Sequence, residues 1–200
     1  MEERDVIKAA VQVLRDGGVI LYPTDTVWGL GCDATNPEAV AEIFAIKQRP
    51  DSKSLVLLAS DMDMVCRYVK EVPEIAVQLV EVNDKPMTIV YPGARAAQSG
   101  AAPDKYLLAA NTVAGDGSVA IRVPLNDFCR RLVSAFGRPI VSTSANISGQ
   151  PSPADFDGIS SEVREAVDFT IDPAFGKGAT GKASSIIKVG LDASIEIIRK

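Results

Sequence analysis

Short apolar runs alternate along this chain with segments in which apolar residues recur at helical spacing. Val19–Tyr22, Leu55–Leu58 and Val119–Val123 are runs of four or five residues, a length typical of buried strands. Val6–Leu14 and Asp127–Phe136 instead carry apolar residues three and four positions apart, which predicts amphipathic helices. Because such segments alternate and strands dominate the end, the pattern predicts an α/β fold. Its sheet should be open, twisted and mixed, with parallel and antiparallel strands and flanking helices.

The remaining elements follow from the same reading. Further helices are predicted over residues 37–47, from Ser60-Asp61 onward and over 73–80; further strands over 87–91, 140–142, 169–171, 185–189 and 195–198. Polar loops are expected over 23–33 and 144–153, and long mobile connections, both candidate lids, over 92–117 and 173–183. No repeat or linker divides the chain, which predicts a single domain over residues 1–200.

The chain contains no histidine, and this excludes several classes of enzyme. Ser-His-Asp triads, Cys-His dyads and histidine-ligated metal sites all require that side chain. Cys32, Cys66 and Cys129 form no Cys-x-x-Cys pair, so we interpret them as reduced, structural thiols. Chemistry that depends on positioning and charge neutralisation, as at phosphates, needs no histidine.

Charge and hydropathy indicate the compartment and the class of partner. The formal net charge is −5, which argues mildly against nucleic-acid binding, since such proteins usually show a basic excess. The N-terminus is charged, and no apolar run approaches the roughly 18 residues of a membrane span. We therefore expect a cytoplasmic protein with no membrane association.

Four segments rich in hydroxyl, glycine or basic residues follow apolar elements, where active-site groups are usually mounted. They are Tyr22–Gly31, Lys47–Lys53, Val141–Gly149 and Gly181–Ile187. The first and third offer hydroxyl and amide donors, and the second offers three cations that could clamp a triphosphate. Taken singly, each segment also fits a structural interpretation, as a capped turn or as cations at a helix C-terminus.

Together, in this order, the motifs resemble those of the YrdC-like threonylcarbamoyl-AMP synthases. Pro23–Gly31 matches Pro-Thr-(Asp/Glu)-Thr-x-(Tyr/Trp)-Gly-Leu-Gly, Lys47–Pro50 matches Lys-x-Arg-Pro, Val119–Pro124 matches Val-x-x-Arg-x-Pro, and Ser144–Asn146 matches Ser-Ala-Asn. The similarity runs from about residue 5 to residue 199. It implies a YrdC-like α/β fold around a large, concave, positively lined cavity.

The resemblance also implies an activity. The enzyme would be an L-threonylcarbamoyladenylate synthase, a nucleotidyltransferase that combines L-threonine, bicarbonate and ATP and releases pyrophosphate. Its product would feed the threonylcarbamoyladenosine modification of tRNA, completed by downstream tRNA threonylcarbamoyl-transferase proteins. Mg²⁺ is expected on the ATP phosphates and water rather than on protein ligands.

Carried onto this sequence, the resemblance implies overlapping sets of site residues. The threonine-binding set is Thr26, Arg122, Ser142 and Ser184, with Arg122 pairing with the amino acid's carboxylate. The ATP-binding set is Lys47, Arg49, Lys53, Ser118, Ser144, Asn146, Ser152 and Arg199. The catalytic set is Lys47, Arg49, Ser144 and Asn146. We expect Lys47 and Arg49 to face solvent, so their removal should lower turnover and leave the melting temperature nearly unchanged.

The sequence departs from the family pattern at several positions. Leu58 stands where many relatives carry a histidine, Asn83–Thr88 lacks the usual tryptophan, and Ala183 replaces the commoner proline before Ser184. The third segment ends at Gln150-Pro-Ser. Because the sequence stops at Lys200, we expect it to lack the appended C-terminal domain of longer relatives.

Two alternatives to the synthase remain open. One is a YciO-like paralogue with the same fold and a different substrate. This alternative is slightly favoured by Gln48-Arg49 and by the apolar strand at 54–58. The other is an RNA-binding module in direct contact with tRNA or double-stranded RNA, which the net charge of −5 makes weaker.

Overall fold

The computed structural model describes residues 2–48 and 55–200. Its helices are α1 (Glu3–Arg15), α2 (Pro37–Ile46), α3 (Met62–Tyr68), α4 (Glu74–Val82), α5 (Asp127–Phe136) and α6 (Ser161–Glu165). Its strands are β1 (Ile20–Tyr22), β2 (Gly29–Gly31), β3 (Val56–Leu58), β4 (Met87–Tyr91), β5 (Val119–Arg122), β6 (Ile140–Ser144), β7 (Phe169–Thr170), β8 (Ser185–Val189) and β9 (Ile195–Arg199). Short 3₁₀ turns occupy Ala110–Thr112 and Pro173–Gly176.

Across the described part of the chain, the nine strands form one sheet in the order β7-β1-β2-β6-β3-β5-β4-β8-β9. Three neighbouring pairs, β1/β7, β3/β5 and β4/β8, are parallel. The other neighbours are antiparallel. The mixed, open sheet that the sequence predicts is therefore confirmed. In the described ranges, no helix is both long and apolar enough to cross a membrane.

Helix boundaries follow from local chemistry. The Asn36 side chain accepts hydrogen bonds from the N–H groups of Glu38 and Ala39, and Pro37 occupies the first turn, as a helix start requires. Helix α5 ends at Gly137, whose φ of 81° places it in the left-handed conformation that glycine adopts readily at a C-terminus.

The centre of the sheet has one polar and one apolar face. Side chains directly paired across strands point to the same face, and successive residues alternate. Leu57, Ile121 and Val141 belong to the buried core. Arg122 and Ser142 lie on the opposite face, because their register positions alternate with those three residues. The register therefore places the arginine and serine where a ligand site can form.

Three predictions about local structure need correction. The segment 23–33, predicted to be a loop, contains β2, and α6 was not predicted. The segment 92–117 carries only a 3₁₀ turn, but hydrogen bonds tie it to the fold. The Arg95 N–H donates to the carbonyl of Tyr68 (2.8 Å), and the Ala109 N–H donates to that of Ala34 (2.9 Å).

Candidate active site

A cavity of about 360 Å³ opens on the polar face of the sheet, and we call it the central pocket. Its lining includes all four predicted threonine-binding residues and three of the predicted ATP-binding residues: Thr26, Arg122, Ser142, Ser184, Ser144, Ser152 and Arg199. These residues come from five separate stretches of the sequence. The fold therefore brings distant motifs to one place, as a shared site requires.

Arg122 is the charged centre of this pocket, although only 4% of it is exposed. Its Nη1 donates to the Thr26 hydroxyl at 3.0 Å and lies 2.9 Å from Asp25 Oδ1. The second contact is a close ion pair, since no N–H is aligned on Oδ1, which has no hydrogen-bond partner among the described residues. Arg122 Nε also has no partner there. The N–H groups on the Nε side of a guanidinium can donate two parallel hydrogen bonds to one carboxylate.

Two threonines of β1's exit loop form a hydrogen-bonded chain that supports Arg122. The Thr24 hydroxyl donates to the carbonyl of Val27 at 2.7 Å. Because its proton is used there, Thr24 accepts from the Thr26 hydroxyl at 2.9 Å. The Thr26 oxygen is then left to accept from Arg122 and from a ligand donor.

Asp25 fixes the same loop from the other side. Its Oδ2 accepts from the Leu125 N–H at 3.0 Å, three residues after Arg122. A buried carboxylate costs free energy unless it is paired, and here it is paired with Arg122. Sequence reasoning missed Asp25 and Thr24, although both belong to the Pro-Thr-Asp-Thr motif. The pattern that could have identified them is an acidic residue between two hydroxyl residues directly after a buried strand.

Lys47 holds the Ser144–Asn146 loop in place through its side-chain ammonium group. The Lys47 ammonium donates to the carbonyl oxygens of Ser144 (2.5 Å) and Asn146 (2.7 Å). Only 2% of Lys47 is exposed, so the expectation of a solvent-facing cation is wrong for this residue. Lys47 directly follows α2, and its main-chain carbonyl accepts from the Ser148 N–H at 2.9 Å, so both its backbone and its side chain bond the loop after β6. Neither Lys47 nor Asn146 lines the central pocket, but both determine the shape of the loop that presents Ser144.

The Asn146 side chain reinforces that loop. Its Nδ2 donates to the carbonyls of Ile147 (2.9 Å) and Gln150 (2.8 Å). Its Oδ1 is buried and has no hydrogen-bond partner in the described part of the chain. An unpaired buried amide oxygen costs free energy, and because Asn146 does not line the central pocket, this oxygen is not exposed to that cavity.

Ser184 and Arg199 form the far wall of the pocket. The Ser184 hydroxyl lies 2.7 Å from that of Thr88, which is fully buried. Arg199 donates from Nε (2.9 Å) and Nη2 (2.7 Å) to the Ser184 carbonyl. Thr88 is a third residue that sequence reasoning missed, because its role depends on the pairing of β4 with β8.

The segment 173–183 borders the central pocket. Its Thr180 N–H donates to the carbonyl of Asp25 (3.0 Å), and its Gly181 N–H donates to that of Thr26 (2.9 Å). Of the two candidate lid segments, this one therefore contacts the pocket loop directly. The segment 92–117 contributes no residue to the pocket lining.

The other predicted site residues are placed differently. Ser118 is buried, and its hydroxyl donates to Asp116 Oδ1 at 2.6 Å. That bond, together with the Ser118 N–H, lowers the pKa of Asp116 well below its usual range. Ser118 is not among the residues that line the pocket. Arg49 and Lys53 lie outside the described residues, and the described chain resumes at Leu55, which does line the pocket.

Leu58, at the position where the resembling family often has histidine, is fully buried and pairs in register with Arg122. The replacement of histidine by Leu58 therefore lies on β3, next to the strand that carries Arg122. An apolar side chain there offers no hydrogen bond to a ligand.

The thiols nearest to the pocket are poor nucleophiles. Burial raises the pKa of the Cys129 thiol to about 12, and burial also raises the pKa of Cys32. The thiolate is the reactive form, so both cysteines remain protonated at neutral pH. The pKa of Tyr22 is likewise raised by burial. The pocket thus offers hydroxyls and cations for binding, and these two thiols and the Tyr22 phenol stay protonated at neutral pH, so none of the three is available as a nucleophile or general base.

The described residues do not fit a protein-held metal ion. Over residues 2–48 and 55–200, no group of three or more potential ligand side chains is suitably placed. Mg²⁺ prefers carboxylate and other oxygen ligands, whereas the nearest carboxylate, Asp25, is paired with Arg122.

The chain is similar to proteins of one family along nearly its full length. A family model described as "Telomere recombination", covering Sua5, YciO and YrdC proteins, matches residues 12–200. The threonylcarbamoyl-AMP synthase of Pseudoalteromonas translucida (strain TAC 125) is 34% identical over 179 residues, which are 88% of this chain and 90% of that protein.

Solved structures give the same result. P. abyssi Sua5 complexed with L-threonine superposes with a TM-score of 0.77 at 28% identity, and the match covers 94% of this chain. It covers 52% of that protein, so this chain spans about half the length of Sua5. E. coli YciO superposes with a TM-score of 0.74 at 25% identity over 100% of this chain and 90% of that one. Sequence, fold and the position of the shared motifs agree: the chain belongs to the Sua5/YciO/YrdC family.

Proposed function

We propose that the protein is an L-threonylcarbamoyladenylate synthase. In this nucleotidyltransferase reaction, L-threonine, bicarbonate and ATP give threonylcarbamoyl-AMP, pyrophosphate and water. The observation that carries the proposal is Arg122: a nearly buried guanidinium in a pocket of hydroxyls, with an Nε that has no hydrogen-bond partner among the described residues. The similarity to proteins named threonylcarbamoyl-AMP synthase supports it.

Threonine is the substrate that the pocket chemistry fits best. Its carboxylate would pair with the Arg122 guanidinium, whose buried Nε has no hydrogen-bond partner among the described residues, in charge-assisted bidentate geometry. The Thr26 oxygen can accept from the ammonium group, and Ser142 and Ser184 can bond the side-chain hydroxyl. The similarity to a Sua5 structure that contains L-threonine supports this assignment.

ATP would lie beside threonine, along the β6 loop. Ser144, Ser152 and Arg199 line the pocket there, and Lys47 and Asn146 hold the loop in place. We keep Arg49, Lys53 and Ser118 as proposed ATP ligands. We propose that Mg²⁺ enters with ATP, bound mainly by its phosphates and by water, as Mg²⁺ usually is at nucleotide sites.

The reaction needs no protein nucleophile. The threonine amine and bicarbonate give a carbamate; its oxygen bonds to the α-phosphorus of ATP, and the bond to pyrophosphate breaks. Holding both reactants in one pocket makes that step effectively unimolecular. Fixed cations and hydroxyls stabilise the charge that develops on the phosphate oxygens.

The adenylate would be consumed by tRNA threonylcarbamoyl-transferase proteins to modify an adenosine. We propose the cytoplasm as the compartment, since ATP and tRNA meet there. Direct contact with tRNA or double-stranded RNA is a separate proposal, which predicts salt-sensitive RNA binding.

Pyrophosphate release tests the function. We expect release to require ATP, threonine and bicarbonate together, and threonylcarbamoyl-AMP to be found by mass spectrometry. Arg122→Lys keeps the charge but loses the planar fork, so the KM for threonine should rise at least tenfold. Lys8→Arg, at an exposed position on α1, is the control. If pyrophosphate is released at the same rate without threonine, the result would favour a YciO-like protein with a different substrate, consistent with the similarity to E. coli YciO.

A further inference from the structure

A second and larger cavity lies away from the central pocket. Its volume is about 1050 Å³, at the upper end of the roughly 300–1,000 Å³ typical of small-molecule pockets. Helix ends and the connections around them build it: Arg15 ends α1, Cys66–Lys70 spans the end of α3, and Phe136–Arg138 spans the end of α5. It shares no lining residue with the central pocket.

The charge of this cavity is opposite to that of the protein. Six of the chain's 21 lysines and arginines line it, whereas the whole chain has a net charge of −5. They are Arg15, Arg67, Lys70, Arg95, Lys105 and Arg138. No aspartate or glutamate is among the described lining residues. We call this cavity the basic cleft.

Most of these charges are not neutralised within the described structure. Arg138 is paired with Asp33. The other five cations are exposed and make no ion pair with a described residue. Like charges gathered around one cavity repel each other and raise the local concentration of anions. A single phosphate would leave most of them unpaired, so the cleft fits a multivalent phosphate anion.

The geometry of the cleft is fixed by hydrogen bonds. The Tyr68 hydroxyl donates to the carbonyl of Lys105 at 2.6 Å. Arg95 Nε donates to the carbonyl of Val69 at 3.2 Å, and its N–H donates to the carbonyl of Tyr68. The segments that carry Lys70, Arg95 and Lys105 are therefore tied together, which lowers the cost of ordering them around a ligand.

An aromatic ring stands at the edge of the cleft. Tyr106 lines it and is 69% exposed, and Lys105 Nζ lies 4.9 Å from the centre of its ring. An exposed ring beside cations can stack on a base while the cations take the phosphates. Inorganic anions would use only the cations, so the ring favours a ligand with its own aromatic group.

We propose that the basic cleft is a second binding site, for a nucleoside polyphosphate, separate from the central pocket. The five cations that form no ion pair with a described residue would bind the phosphate chain, and Tyr106 would stack on the base. The proposal does not rest on the synthase function, because the residues involved belong to a different cavity.

Cys66 supplies a native reporter for this site. It lines the cleft and is exposed, whereas Cys32 and Cys129 are buried. The rate of its reaction with uncharged N-ethylmaleimide, followed by peptide mass spectrometry, reports occupancy of the cleft without any turnover. We expect saturating ATP to slow this reaction at least fivefold. Failure of the synthase assay would leave this measurement unaffected.

Charge reversal tests the cations. The double variant Lys70→Glu, Lys105→Glu should still fold, because neither position lies in a helix or strand. Since its reversed charges repel phosphate, ATP should no longer protect Cys66. Lys8→Glu with Lys85→Glu changes two exposed lysines outside both cavities and should keep the protection. If the first pair does not fold, Lys105→Gln alone should weaken protection at least threefold. The absence of protection by ATP, or protection that survives charge reversal, overturns the proposal.

A second comparison tests the base. We expect tripolyphosphate to need at least a tenfold higher concentration than ATP for equal protection, and Tyr106→Ala to remove that difference. If tripolyphosphate protects as well as ATP and Tyr106→Ala changes nothing, the cleft is a plain anion site and the nucleotide assignment is wrong.

Discussion

The ammonium group of Lys47 lies 2.5 Å from the main-chain carbonyl oxygen of Ser144. The same group bonds the carbonyl of Asn146, and between them the Ala145 N–H donates to the carbonyl of Trp28 at 3.0 Å. The turn that presents Ser144 to the central pocket is therefore held on both sides. Lys47 acts on this turn through the backbone, in addition to any contact with phosphate.

Lys47→Ala should lower both stability and turnover. It removes a charged donor from two carbonyls, and an unsatisfied buried acceptor costs about 1–3 kcal/mol. We expect the free energy of unfolding, measured with urea, to fall by about 3 kcal/mol. Pyrophosphate release should fall as well, because Ser144 loses its fixed position.

The matched control is Lys8→Ala, which removes an exposed lysine on α1 and should change stability by less than about 0.5 kcal/mol. Turnover lost from Lys47→Ala at unchanged stability would contradict the holding role and restore a purely catalytic one.

The burial of Lys47 illustrates what the sequence could not provide. The helical spacing of 37–47 predicts a helix end and a nearby cation, and both are found. The partners of that cation lie 97 and 99 residues further along the chain. No local pattern reports on such a distant contact, so the side chain was expected in solvent.

Strand β2 was missed for a related reason. Gly29 and Gly31 have low intrinsic strand preference, and their segment has the composition of a turn. The pairing with β1 and β6 overrides that preference. A Cβ at Gly31 would lie 2.7 Å from the Tyr22 ring, so glycine is needed for close packing here. In contrast, the sequence could indicate that Thr26, Arg122, Ser142 and Ser184 share one pocket, because all four fall within ordered motifs; their binding of threonine stays a prediction.

Asp25→Asn tests how Arg122 is positioned. The change keeps the size of the side chain and removes the charge that faces a nearly buried guanidinium. We expect a loss of about 3 kcal/mol in the free energy of unfolding, since breaking a buried pair leaves one charge uncompensated. The KM for threonine should rise about tenfold, while the KM for ATP should stay nearly unchanged.

Asp192→Asn, at an exposed position, should alter neither KM and provides the control for charge loss. Equal rises in the KM values of threonine and ATP would show that Asp25 supports the whole pocket and has no specific role at Arg122.

Gly181→Ala tests whether the segment 173–183 shapes the threonine site. Gly181 has φ +67° and open space around it, and its N–H bonds the carbonyl of Thr26. Alanine is strained in this conformation by about 1 kcal/mol, which should shift the segment and raise the KM for threonine about threefold. Gly178→Ala, at φ +88° and equally open, carries the same strain and should leave the KM unchanged. Identical effects of the two changes would argue against a specific contact at Gly181.

Alkaline pH should destabilise the fold through the Cys129 thiol. Burial raises its pKa from 9.0 to about 12, so above pH 9 the unfolded chain loses this proton first. The contribution to stability is therefore complete below pH 9 and is lost as pH rises towards 12. Between pH 8 and about pH 10.5 we expect this group to lower the free energy of unfolding by about 2 kcal/mol.

The Cys129→Ala variant should lose correspondingly less stability when the free energy of unfolding in urea is compared at the two pH values, with reductant present. Tyr22, whose pKa burial also raises, is present in both proteins, so their difference isolates the thiol; equal losses would contradict the assignment.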